Sequence, residues 1–154
     1  MNPYAKVFKA LEEGGVKYLV VGGVAVNLYG YARFTGDVDI LLALDEKNLE
    51  KMSKVMKHLG YVERLPVQIH ELSNRKKVQE WLETKGMTAY TFISNRGLQL
   101  DIDILTKDSF NFQKFYKRRG EVKIWNMIIP VISIDDLIAM KKRANRNVDI
   151  LDIE

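Results

Sequence analysis

A chain of 154 residues, 47% hydrophobic and 29% charged, has the size and composition of one soluble domain with its own core. Its net charge of +4 suits a nucleotide or nucleic-acid partner without requiring one. The absence of cysteine excludes disulfides, a thiolate nucleophile and a zinc–thiolate site, as expected in a reducing cytoplasm. No apolar run approaches the ~18–20 residues that span a bilayer, and MNPYAKVFKALEEGG lacks the unbroken apolar core of a signal peptide, so the expected setting is cytoplasmic, with no membrane partner.

In chain order, Pro3 opens a helix with Asn2 as its cap. Tyr4, Val7, Phe8 and Leu11 follow helical spacing, and Gly14-Gly15 end it. Tyr18 to Val21 form a continuous apolar run, the pattern of a strand buried on both faces. Gly22 and Gly23 then let the chain turn and let a ligand approach the backbone. Val24 to Tyr29 predict a short helix stopped by Gly30. Asp37-Val38-Asp39 opens a second strand running into Ile40, Leu41 and Leu42. Strand alternation puts both aspartates on one face, about 6.5–7 Å apart. Two such carboxylates repel unless a positive charge lies between them, and hard oxygen donors favour magnesium, with manganese as a substitute.

Asp45 caps a helix through Leu59, with Leu49, Met52, Val55, Met56 and Leu59 turned inward, and Gly60 closes it. Residues 61–87 are less regular. Tyr61-Val62 start a strand, Pro66 breaks it, and Ser73 or Asn74 caps a polar helix through Thr84 anchored by Trp81 and Leu82. This stretch reads either as a surface excursion or as a lid over a neighbouring cleft. His58 and His70 are too far apart in sequence to suggest a metal pair. MTAYTFIS (87–94) and LQLDIDIL (98–105) predict two strands joined by a turn at Asn95-Arg96-Gly97, with Gln99, Asp101 and Asp103 on one face of the second. A helix is expected from Phe110 to Arg119, then a hairpin turning at Asn126, then a helix capped by Ser133 with Asp136 at its third position. Ile134, Leu137, Ile138 and Lys141 begin the buried side of that last helix.

The Gly-Gly pair, the short helix, Arg33-x-Thr35 and Asp37-x-Asp39 together resemble the nucleotidyltransferase superfamily of DNA polymerase beta. The likeness is greatest to its branch of small bacterial and archaeal proteins that includes AbiEii-like toxins. The resemblance implies an α/β (α+β) fold with a mixed sheet from residues 17–22, 37–43, 88–94 and 98–105 flanked by helices, all within a single domain, 1–154. It implies that Asp37, Asp39 and a third acid on a neighbouring strand bind two magnesium ions and a nucleoside triphosphate. In the branch the third acid precedes two aliphatic residues and, some nine residues on, a Phe-x-x-apolar helix start. Asp103-Ile104-Leu105 and Phe112 to Phe115 match that spacing, with Asp101 as an outer candidate. Gly22 and Gly23 would face the triphosphate, and Arg33 and Thr35 would assist. Lys141 either reaches a phosphate or belongs to a solvated basic helix, and Arg146, Asp149 and Asp152 also match the branch. Where other members carry Gly-Ser, this chain has Gly-Gly, so a serine contact to phosphate is missing.

The reading implied is a metal-dependent nucleotidyltransferase that moves a nucleoside monophosphate onto a protein, an RNA end or a small molecule. The alternative is a non-catalytic or toxin–antitoxin-type partner that keeps the fold and binds another protein or a second copy of itself. A dinucleotide-binding unit is excluded by the missing Gly-x-Gly-x-x-Gly spacing after the first strand.

Overall fold

The computed structural model describes residues 2–30, 36–95 and 100–144. Within them the elements run α1 (Pro3–Glu13), β1 (Tyr18–Val21), α2 (Gly22–Leu28), β2 (Asp37–Leu42), α3 (Glu46–Leu59), β3 (Tyr61–Glu63), a 3-10 turn (Ile69–Ser73) and α4 (Arg75–Lys85). They continue with β4 (Ala89–Ser94), β5 (Asp101–Leu105), α5 (Thr106–Ser109), α6 (Phe112–Lys117), β6 (Gly120–Ile124), β7 (Met127–Val131) and α7 (Ile134–Ala144). Among the described residues no helix is long and apolar enough to cross a membrane.

All seven strands join one mixed sheet in the order β3-β4-β5-β2-β1-β7-β6. The centre is β2, antiparallel to β1 and parallel to β5. The pairing Val21↔Asp39 fixes the two faces by alternation: Leu19, Val21 and Leu41 share the face of Asp39, while Tyr18, Val20, Ile40 and Leu42 take the other. Phe8 stacks on Tyr18 at 6.1 Å between ring centres, so α1 packs on the face away from the acids. On that face Val38, Ile40, Ile102 and Ile104 are wholly buried.

One polar side chain ties this core together. Asn48, buried on α3, accepts from the Lys17 amide at 2.8 Å and donates to the Lys17 and Ala43 carbonyls at 3.0 and 2.8 Å. These groups are the entrance to β1 and the exit from β2, where the Ala43 amide still donates to the Lys17 carbonyl at 3.3 Å. Asn48 adds partners for the Lys17 amide and the Ala43 carbonyl and a second donor to the Lys17 carbonyl. The segment is positioned by Asp45, whose carboxylate accepts from the Asn48 amide at 3.1 Å as the cap of α3.

The structure corrects several sequence expectations. Helix α2 begins at Gly22, not Val24, because the chain reverses at the strand's last residue. Strands β4 and β5 are shorter than 87–94 and 98–105. The helix expected over 110–119 is the shorter α6, and a separate single turn, α5, precedes it, held to the sheet by Ser109: its Oγ donates to the Leu105 carbonyl at 2.6 Å and accepts from the Leu42 amide at 3.1 Å. Helix α4 is anchored by half-buried Trp81 and Leu82, which pack on the core as expected, and also by fully buried Val78. Asn74 rather than Ser73 is its cap. Ile134, in the first turn of α7, is exposed. The Asp136 amide donates to Ser133 Oγ at 3.1 Å, so Ser133 caps α7 as expected, but the Asp136 carboxylate accepts from Arg118 in two hydrogen bonds of 3.0 and 2.7 Å. The hairpin turn is as expected, with Trp125 and Asn126 both at positive φ. The predicted turn at Arg96-Gly97 and residue Gln99 lie outside the described residues.

Removing the Asn48 clamp gives a direct test of this account. Asn48→Ala loses three hydrogen bonds, one buried and two part-buried, at roughly 1 kcal/mol each, so it should lower unfolding free energy by about 2–3 kcal/mol in urea titrations.

Candidate active site

Parallel pairing of β2 and β5 places Asp37 opposite Asp101 and Asp39 opposite Asp103. Alternation then brings all four carboxylates to one face of two adjacent strands. These are the third and fourth strands of seven, so the acids meet in the middle of the sheet rather than at its edge, because β3 and β4 extend it on one side and β1, β7 and β6 on the other. Asp39, Asp101 and Asp103 are half-buried, and Asp37 is exposed.

Two of the acids are constrained by neighbours. Gly22 holds φ at +67°, and a Cβ there would collide with the Asp39 carboxylate. Glycine is required at this position on both counts, since a left-handed backbone is costly for other residues. Asp103 is opposed by Thr91 on β4, whose hydroxyl donates to Asp103 Oδ1 at 2.6 Å. Asp37 is pushed above the usual carboxylate range, first by partial burial and then by the charges of Asp103 and Asp101. A hydrogen bond from the Asp101 amide works the other way.

A cleft of about 510 Å³ opens over this face. It is lined by Gly22 with the acidic Asp39, Asp103 and Asp108, by the basic Lys107, Lys141 and Arg143, and by Thr88, Leu105, Leu137 and Met140. Lys141, on α7, is only 6% exposed. It is thus a cleft residue, not part of a solvated basic helix. Arg143 lies 3.6 Å from Asp108 in an ion pair joining α7 to α5. Arg118 and Arg119 instead serve their own surroundings: Arg118 binds Asp136, and Arg119 stacks 4.1 Å over the Tyr116 ring and pairs with Glu121 at 3.5 Å.

Of the residues singled out from sequence, Gly22, Asp39, Asp103 and Lys141 line the cleft together, with Asp37 and Asp101 one pleat along the same face. Gly23 follows Gly22 in the first turn of α2. Arg33, Thr35, Arg146, Asp149 and Asp152 lie outside the described residues. His58 and His70 are exposed and distant in sequence from every wall of the cleft. Sequence reading missed Lys107, Asp108, Arg143 and Thr91. The first two immediately follow the strand that carries Asp103, which was the available signal; Thr91 had none, because only cross-strand register brings it to Asp103.

The donor set suits a hard divalent cation: carboxylate oxygens only, on one face of two adjacent strands. Among the described residues no three acids are already drawn into a closed cage, so a cation would gather side chains that now lie along two strands.

The architecture is shared with solved nucleotidyltransferases. A crystal structure of the lincosamide antibiotic adenylyltransferase LnuA, bound to lincomycin, superposes with a TM-score of 0.63 at 18% identity, covering 98% of this chain and 92% of that one. A nucleotidyltransferase-like antigenic protein from Paracoccidioides brasiliensis gives 0.60 at 15% identity, over 97% and 71% of the two chains. The antibiotic-resistance factor ANT(2'')-Ia gives 0.59 at 12%, over 98% and 78%. These likenesses define a nucleotidyltransferase fold. At the level of sequence, the family model described as nucleotidyl transferase AbiEii toxin, type IV toxin–antitoxin system, matches residues 9–149, and the chain belongs to that family. No curated protein matches it significantly.

Two outcomes follow from the geometry. Gly22→Ala must accept a left-handed backbone and a clash with Asp39, so chemical denaturation should show a loss of at least about 1–2 kcal/mol. For Asp37, a raised folded pKa means the folded protein holds its proton more tightly than the unfolded chain. This group therefore lowers stability as pH rises from the unfolded value of ~3.9 through the raised folded one. In metal-free buffer, Asp37→Asn should melt above the parent at pH 7, with the advantage shrinking as pH falls through the raised folded value and gone below about 4.

Proposed function

We propose that the chain transfers a nucleoside monophosphate from a nucleoside triphosphate to an acceptor hydroxyl, with Asp37, Asp39 and Asp103 as its catalytic carboxylates. The observation that supports this most is the in-register pairing of β2 and β5, which brings the acids to one face, with Asp39 and Asp103 lining a cleft that Lys141 of α7 also lines. In this reading the acceptor oxygen attacks the α-phosphorus, the bond to the β-phosphate breaks, and pyrophosphate leaves. Asp103 accepts the acceptor's proton. Lys141 neutralises phosphate charge, and the amides of Gly22 and Gly23, at the start of α2, approach the β- and γ-phosphates, with Arg33 and Thr35 assisting. Asp101 supports the set from the neighbouring position opposite Asp37. Two magnesium ions, or manganese, held by Asp37, Asp39 and Asp103, would supply charge neutralisation at the attacking and leaving oxygens.

The family's own description supports a finer proposal, that the chain is the toxin component of a two-part system and that transfer is its toxic act. The acceptor is then a cellular protein, an RNA end or a small molecule. A non-catalytic partner that keeps the fold would instead act through a binding surface away from the acids.

The experiment is incubation of the chain with each α-labelled triphosphate, magnesium and cell extract. A labelled acceptor is expected, and Asp37→Asn and Asp39→Asn should each cut labelling at least about 100-fold, or ~2.7 kcal/mol of transition-state stabilisation. Both variants should stay folded, since each relieves repulsion. A folded Asp39→Asn variant with undiminished effect on cells would overturn the enzyme reading in favour of the binding partner.

A further inference from the structure

We infer that Thr91 is a positioning residue for the third carboxylate, fixing which oxygen Asp103 offers to a cation. The inference rests on the reading of Asp103 as a metal ligand and deepens it. Thr91 and Asp103 are direct cross-strand partners on β4 and β5, and the Thr91 hydroxyl donates to Asp103 Oδ1 at 2.6 Å. A charged acceptor at this distance makes a strong hydrogen bond. It occupies one carboxylate oxygen and leaves Oδ2 to turn toward the cleft.

The donor is itself held in place. Threonine is stiff at χ1, so a hydroxyl on a fixed strand points in few directions. Strand β4 is fixed on both sides: it pairs with β5 along one edge and with β3 along the other, and the Thr91 carbonyl also accepts from the Arg64 amide at 3.0 Å. Its flanking residues Tyr90 and Phe92 are buried on the opposite face, packed edge to face at 5.4 Å. The hydroxyl thus stands on a rigid element whose neighbours cannot rotate it away. A threonine in this role is interchangeable with serine in chemistry but not with valine, which has the same shape and no donor.

Ligand-orienting partners of this kind change metal affinity by about 10- to 100-fold when removed. The test measures Mn²⁺ binding directly, by calorimetry or by the loss of free-ion paramagnetic resonance, on the chain without nucleotide. Thr91→Val should weaken Mn²⁺ binding about 10- to 100-fold, and Thr91→Ser should recover most of it. Thr91→Ala repeats the measurement should valine disturb the strand. Asp103→Asn run alongside separates the two layers of the argument. If Asp103→Asn loses Mn²⁺ binding while Thr91→Val and Thr91→Ala bind within twofold of the parent, the positioning role is overturned and the metal-ligand reading stands. If Asp103→Asn binds Mn²⁺ as the parent does, the underlying reading fails, and the inference with it. Equal weakening in Thr91→Ser and Thr91→Val would also overturn it, since that pattern marks packing rather than hydrogen bonding.

Discussion

The whole arrangement depends on a contest between the two faces of β2 and β5. One face carries Asp37, Asp39, Asp101 and Asp103 in register. At the ~5 Å spacing of paired strands, neighbouring charges repel by about 3 kcal/mol per pair at an effective dielectric near 20, and by less where water screens them. The other face carries Val38, Ile40, Ile102 and Ile104, all fully buried. Each such side chain contributes about 1.5–3 kcal/mol, so the apolar face outweighs the repulsion and holds the acids together. A slip of one residue would exchange the faces and put carboxylates in the core, which fixes the register firmly.

Elements around this pair act as restraints on individual side chains. Asn48 bridges the entrance of β1 and the exit of β2 beside the Ala43–Lys17 main-chain hydrogen bond, bracing that end of the strand bearing Asp37 and Asp39. Gly22 brings the chain off β1 so closely past Asp39 that no side chain fits between them. Ser109 pins α5 to the end of β2, and the Asp108–Arg143 pair carries that anchorage to α7. In this way the helix that bears Lys141 is tied back to the strands that bear the acids, although they are far apart in sequence.

The resulting cleft carries both signs of charge. A ligand that is anionic throughout would meet the carboxylates unfavourably, and a bare cation would meet Lys107, Lys141 and Arg143. A polyphosphate accompanied by divalent cations complements both kinds of lining at once, which is why the nucleotidyl-transfer reading accords with the cleft as well as with the family.

Much of this was open to reading in the sequence. Period-2 alternation in Asp37-Val38-Asp39 and in Asp101-Ile102-Asp103 placed each pair of acids on one strand face, and continuous apolar runs marked β1 and β2 as central. Caps at Asn2, Asp45 and Ser133 marked three helix starts, each confirmed by its side-chain hydrogen bond. Such features are local, fixed by the chain's own geometry within a few residues. What sequence could not supply was anything that depends on which strand lies beside which. The facing of Asp39 with Asp103, the hydroxyl of Thr91 on the latter, the shared cleft of Lys141 with those acids and the reach of Asn48 across 31 residues to Lys17 all arise from strand order and helix docking. The interruption between α5 and α6 has the same origin, since Ser109 is drawn to an amide of β2 that local helix propensity cannot register. Local pattern decided which residues could carry the site; long-range pairing, driven by burial of the opposite face, decided how they meet.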